Sequence, residues 1–242
     1  MRARFQELDW RATPLGELVL RRRWDPVFDR EVHEIKLNDE FLMSSLFTVA
    51  EVELGRLALA GLAAGPLDVV VGGLGLGCTA QSVLANPDVR RLVVVDALGE
   101  VIEWHERGLI PAGAELTADP RCGLVQGDFF AMVRTGAEFD PASKPEGLWH
   151  AIVVDIDHSP RHHLHPSNAD LYEPAGLRRL ADRLRPGGVF ALWSNDPPDE
   201  EFTAALSKVF ADVRAEIVRF DNPLQQREAN ATIYLATTAS VR

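Results

Sequence analysis

Cysteine is scarce here: Cys78 and Cys122 are the only two in 242 residues. They stand at neither metal-ligand nor redox spacing, which excludes a disulfide framework and a cysteine-based zinc site. Positive charge is also in short supply. There are 25 Lys and Arg against 36 Asp and Glu, a formal net charge of −11. The basic residues are scattered, so the stripe that phosphate backbones require is missing and no nucleic-acid partner is expected. The one basic cluster, Arg21 to Arg23, reads as a solvated strand end. Long apolar runs are lacking as well. No stretch approaches a membrane span, and the opening MRARFQELDW has no continuous apolar segment of a secretion signal, so no membrane and a cytoplasmic location are expected. There is no internal repeat and no low-complexity tract. What is left is an ordinary globular composition, long enough for one α/β domain with a small appendage.

The stretch Leu67 to Leu84, LDVVVGGLGLGCTAQSVL, organises the rest. A short β-branched run ends in Gly73, Gly75 and Gly77, spaced two apart, and passes into helical apolar spacing. Strand, glycine turn and helix follow. Glycine lets backbone approach a ligand, and the helix start supplies free N–H groups, so the turn suits a nucleotide or nucleoside; a purely structural turn is the alternative. The strand Leu92 to Val95 ends in Asp96, one βαβ unit further on. A carboxylate there can accept both ribose hydroxyls of a nucleoside, or cap the following helix, or do both.

Before this stretch, Phe5 to Glu40 carries β-like patches broken by turn formers, a small antiparallel hairpin module with Val32, Ile35 and Leu37 facing a core. Asp39 to Leu62 shows near-helical apolar spacing with Asn38 or Asp39 as cap. After it, a third strand Gly123 to Gln126 ends in Gly127-Asp128, and His150 to Val154 ends in Asp155-Ile156-Asp157-His158. Polar groups gathered at the carboxyl ends of parallel strands mark the ligand crevice of an open α/β sheet, and three strand ends here present an Asp. The loop Ser159 to Tyr172 contains His162, His163 and His165; two are adjacent and no further ligand defines a geometry, so a flap over the crevice is read in preference to a metal site, and no metal is expected. A helix over Leu171 to Leu184, a strand Val189 to Trp193 and a helix from Glu200 to Phe210 follow. The strands Arg214 to Phe220 and Ala231 to Thr237, joined by the loop DNPLQQREAN, should pair antiparallel at the sheet edge.

This order resembles the class I methyltransferase fold that binds S-adenosylmethionine: α/β, Rossmann-like, with a seven-stranded mostly parallel sheet and a C-terminal antiparallel hairpin. It is closer still to the spermidine synthase family of aminopropyltransferases. The resemblance rests on the N-terminal hairpin module, Asp39-Glu40-Phe41, Val69 to Leu84, Asp96 to Ile102, Gly127-Asp128 and Asp155. It implies a hairpin module over 1–40, a nucleoside-binding transferase domain over 41–242, and a homodimer. It also implies S-adenosylmethionine or its decarboxylated form as donor, held by Gly73, Gly75, Gly77, Asp96, Asp128 and Asp155. Asp128 would meet the adenine amino group. The chain departs from the family at Leu76, where an Asp of the glycine turn holds the donor's charged tail, and at His158, where an Asp is the usual base. Met43 and Ser44 stand where Tyr and Gln orient the substrates.

Transfer from a sulfonium asks the protein to align a nucleophile and take its proton. Asp155, Asp157 and His158 are the candidate catalytic residues, with His158 either a base or a turn-capping loop histidine. An acidic chain suits a small amine acceptor, a polyamine for example. Two alternatives stay open: a methyltransferase with a non-polyamine acceptor, and a nucleoside-binding homologue without activity.

Overall fold

The computed structural model describes residues 5–38, 40–141 and 148–240. Four strands, β1 (Phe5–Thr13), β2 (Gly16–Asp25), β3 (Arg30–Leu37) and β4 (Glu40–Ser44), form an antiparallel meander in chain order. A seven-stranded sheet follows, built from β5 (Leu67–Gly72), β6 (Val89–Asp96), β7 (Cys122–Gln126), β8 (Trp149–Val154), β9 (Leu184–Ser194), β10 (Asp212–Asn222) and β11 (Arg227–Thr237). Its spatial order is β10-β11-β9-β8-β5-β6-β7, parallel except for β11, which lies antiparallel to both its neighbours. All six residues of β5 are buried, as a central parallel strand covered on both faces requires.

The chain leaves β5 toward β6 and later returns on the other side to β8, so the strand order reverses between β5 and β8. Helices α1 (Val49–Ala60), α2 (Cys78–Leu84), α3 (Gly99–Glu106) and α4 (Gly113–Ala118) precede β7, and α5 (Phe129–Thr135), α6 (Pro174–Ala181) and α7 (Glu200–Ser207) come after it. One apolar cluster joins Leu18, Leu20 and Ile35 of the meander to Leu54 of α1, Trp104 of α3 and the β5–β6 face. The meander therefore shares a core with the larger sheet. A second cluster, with Phe129, Phe139, Tyr172 and Phe190, covers the opposite face.

Three sequence expectations are corrected. The segment read as one helix from Asp39 to Leu62 is the strand β4 followed by α1. Asn38 adopts φ 54° and accepts a hydrogen bond from Glu17 N, turning the chain back so that β4 pairs with β3, and the meander runs to Ser44. Asn38 is thus no cap, and Asp39 lies outside the described residues. The helix read over Leu171 to Leu184 is a 3-10 helix, Pro166–Tyr172, then α6, with Leu184 already opening β9. Glu173 is extended before Pro174, and proline at the first helical position sets the true start. Arg21 to Arg23 lie within β2; Arg21 and Arg23 pair with buried Glu34 at 2.6 and 2.9 Å. The closing strands pair as expected, although they extend into the intervening loop and leave only residues 223–226 as a turn.

Candidate active site

A cavity of 710 Å³ opens at the carboxyl ends of the parallel strands, at the point where the strand order reverses. That is where open α/β sheets bind ligands. Its floor is the glycine turn. Gly73 has φ +96°, and a Cβ there would stand 2.1 Å from the carbonyl oxygen of Asp155, so the ends of β5 and β8 touch at backbone level. Gly75 has φ +46°, and a Cβ there would meet the Met43 sulfur at 2.1 Å. The turn is thus kept free of side chains by contact from two directions.

At one end of the cavity stand Asp96, Gln126, Asp128 and Phe129. Asp96 Oδ2 accepts from Leu74 N and Oδ1 from Leu98 N, each at 2.8 Å, tying the glycine turn to the start of α3. Burial raises its pKa, against the pull of backbone N–H donors from Leu74, Leu98 and Gly75. These donors leave part of the carboxylate's acceptor capacity for hydroxyl groups of a ligand in the cavity. Asp128 is the N-cap of α5, accepting from Ala131 N at 3.0 Å, and its side chain borders the same end.

Across the glycine turn lie Glu51, Cys78 and Asp155. Asp155 Oδ2 accepts from the Thr79 hydroxyl at 2.7 Å. Burial raises Asp155 to about 6, with the Thr79 hydroxyl opposing. Burial, reinforced by repulsion from Asp155, pushes Glu51 up to about 8. Both carboxyls are thus biased toward the protonated form, and they titrate as a pair. Cys78 and Cys122 are free thiols pushed up to about 12, first of all by burial, and neither is a nucleophile near neutrality.

The roof is apolar: Pro14 and Leu15 from the β1–β2 turn, Ile35 and Leu37 from β3, and Leu42 and Met43 from β4. Met43 Sδ accepts from Leu76 N at 2.8 Å, so two positions where the chain departs from the family meet each other. Leu76 itself is core, 4% exposed, and is not on the cavity wall. Ser44 is also off the wall; its hydroxyl accepts from Leu46 N.

The remaining wall is the loop after β8. His158, Leu164, His165 and Asn168 border the cavity, whereas Asp157 does not. Asp157 is 1% exposed and accepts from Leu164 N, Asn168 Nδ2 and Tyr172 OH at 2.7, 2.9 and 2.7 Å. This candidate catalytic residue thus lies off the cavity wall: the strand ends at Val154, and the carboxylate is turned under the loop that it ties down. The histidines of that loop also have separate partners. His162 donates to Asp196, His163 stacks on Tyr172, and His165 caps the 3-10 helix through Ser167 N. Among the described residues no three His, Cys, Asp or Glu are grouped to hold a metal ion. Replacing Asp157 by Asn is expected to cost roughly 2 kcal/mol, since three hydrogen bonds to a buried charge become bonds to a neutral amide. Thermal denaturation and hydrogen exchange over 158–172 measure it, and unchanged protection there would remove the anchor role.

Two solved structures superpose on 98% of the chain: a spermidine synthase in complex with the transition-state analogue AdoDATO, at TM-score 0.69, 17% identity and 73% of that chain, and the Thermotoga maritima spermidine synthase, at TM-score 0.70, 17% identity and 74%. The chain has the spermidine synthase fold. By sequence the chain is 32% identical over 160 residues to polyamine aminopropyltransferase 2 of Pseudomonas aeruginosa, covering 62% of the present chain and 41% of that protein. It is also 32% identical over 124 residues to putrescine N-methyltransferase 3 of Nicotiana tabacum, covering 51% and 29% respectively. The chain thus spans less than half the length of the curated relatives it matches. No family model matches it. No helix among the described residues is long and apolar enough to cross a membrane.

Glu51 was not singled out in the sequence. The signal was there: Glu51, Gly55 and Leu59 recur every four residues on one helix face, and the last two are buried. An acid in register with a buried stripe faces either the core or a cavity.

Proposed function

We propose that the protein is an alkyl transferase that binds an adenosyl sulfonium, S-adenosylmethionine or its decarboxylated form, and passes an alkyl group to a small amine. The observation that carries this reading is the division of one cavity into two halves. Asp96 and Asp128 stand at successive strand ends on one side of a side-chain-free turn, and Glu51 and Asp155 stand on the other. Five carboxylates and, among the described residues, no Lys or Arg line it, which suits cationic ligands.

In the proposed reaction the amine nitrogen attacks the carbon bonded to sulfur. The C–S bond breaks with its electron pair going to sulfur, and the charged sulfonium leaves as a neutral thioether. The amine must arrive deprotonated, and its proton passes to Asp155 or to His158, both on the wall. Asp157 holds the loop that carries His158. Orientation and exclusion of water supply the rest. Methyl transfer is a second reading, favoured by the similarity to the putrescine N-methyltransferases. A homodimer is part of the proposal, on the family resemblance alone.

Calorimetric titration with S-adenosylmethionine, its decarboxylated form and 5′-methylthioadenosine tests the proposal. At least one should bind in the micromolar range, about −8 kcal/mol; failure of all three removes the reading.

A further inference from the structure

Helices α1 and α2 cross closely at Gly55, where a Cβ would stand 2.8 Å from Ser82 Cβ and 3.0 Å from Thr79 O. One turn earlier on the same face, Glu51 comes level with the start of α2. There the Thr79 hydroxyl, which donates to Asp155, also lies 3.4 Å from Glu51 O. The crossing delivers a carboxylate from α1 to the cavity wall beside the one at the end of β8. Among the described residues, the one donor to the Glu51 carboxylate is its own backbone N–H. Asp96 and this pair border the same cavity, with the glycine turn also in its wall.

From this placement we infer that Glu51 and Asp155 form the subsite for the ammonium at the far end of the donor, and that Glu51 sets the protein's preference for a donor tail without a carboxylate. The inference rests on the proposed nucleoside reading and deepens it. It supplies from α1 the acid whose place in the glycine turn is taken by Leu76. An ammonium offers N–H donors to both carboxyls and favours their ionisation together. A tail that also carries a carboxylate would bring a third negative group to a wall that, among the described residues, has no Lys or Arg to meet it.

Proton linkage gives the subsite a signature. The groups facing Glu51 are Asp155 from the end of β8 and Cys78 from α2, with Asp96 across the turn and His158 on the opposite loop. Glu51 is raised to about 8 and Asp155 to about 6, so an ammonium that ionises both releases a proton near neutrality. Affinity for the decarboxylated donor should therefore rise with pH between these values, by at most about tenfold per unit.

The test is titration of wild type, Glu51→Gln and Glu51→Asp with 5′-methylthioadenosine, the decarboxylated donor and S-adenosylmethionine, in buffers of different ionisation enthalpy. Wild type should bind the decarboxylated donor about tenfold or more tighter than S-adenosylmethionine, with proton release. Glu51→Gln should erase both the preference and the proton release and leave 5′-methylthioadenosine affinity within about twofold. Glu51→Asp should retain part of the preference. If Glu51→Gln binds 5′-methylthioadenosine normally and keeps the preference, the inference falls and the nucleoside reading stands. If wild type binds no 5′-methylthioadenosine, that reading falls and takes the inference with it.

Discussion

Alanine at Asp96 is expected to lower affinity for 5′-methylthioadenosine by about 100-fold or more, the equivalent of two hydrogen bonds from ribose hydroxyls to a carboxylate. Asp96 does two jobs with one side chain. It fixes Leu74 N and Leu98 N, and so the shape of the glycine turn, and in the proposed complex its remaining acceptor capacity would take the sugar hydroxyls. Both are lost together. The side chain borders the cavity, so water can reach the freed N–H groups, and the fold should survive with little loss of thermal stability. Asp96→Asn keeps the size and one acceptor and should fall between. Affinity within twofold of wild type in a folded Asp96→Ala protein would show that the ribose end has been assigned to the wrong acid.

The second large effect is at Gly73. Alanine there must hold φ near +96° and press its Cβ to 2.1 Å from the Asp155 carbonyl and 2.9 Å from the carbon behind it. Those are backbone atoms at the end of a central strand, and no side-chain rotation relieves them. The neighbouring ladders hold the position as well, since Gly73 N donates to Val95 O at 2.9 Å and Asp155 N to Gly72 O at 2.9 Å. The expected cost is on the order of 4 kcal/mol, a fall in melting temperature of about 10 °C for a chain of this size. Gly108→Ala is the control: its φ is +66°, with nothing within 4 Å of an added Cβ. That change should cost about 1 kcal/mol from backbone strain alone. Equal losses at the two positions would mean that the contact between the strand ends contributes nothing.

How much of this could be read beforehand depended on whether a signal was local. The buried strands β5, β6 and β8 carry short valine- and isoleucine-rich runs closed by Gly72, by Asp96 and, one residue past the strand, by Asp155, and both the run and its end are visible in a few residues. β4 was hidden because Leu42, Leu46 and Val49 fall at helical spacing. What makes Glu40–Ser44 a strand is its partner β3, reached through the left-handed Asn38. The split between the 3-10 helix and α6 was hidden for a similar reason. Asp157 binds residues 7, 11 and 15 positions away, and pattern reasoning showed it as one more acid at a strand end. Glu51 illustrates the limit most sharply. Its meaning comes from Asp155, 104 positions further on, brought beside it by a helix crossing at Gly55.

The apolar roof has a chemical consequence of its own. A sulfonium reacts with any nucleophile aligned behind its carbon, and water competes with an amine in every open crevice. Ile35, Leu37, Leu42 and Met43 come from strands outside the seven-stranded sheet, yet Asp9 of β1 is fastened to α3 through Trp104 Nε1 at 2.8 Å and Arg107 at 3.2 Å. The meander is thus fixed to the helix that begins beside Asp96. For the proposed reaction this makes the small sheet a selectivity filter: it decides which nucleophile is admitted, while the larger sheet decides where the electrophile lies.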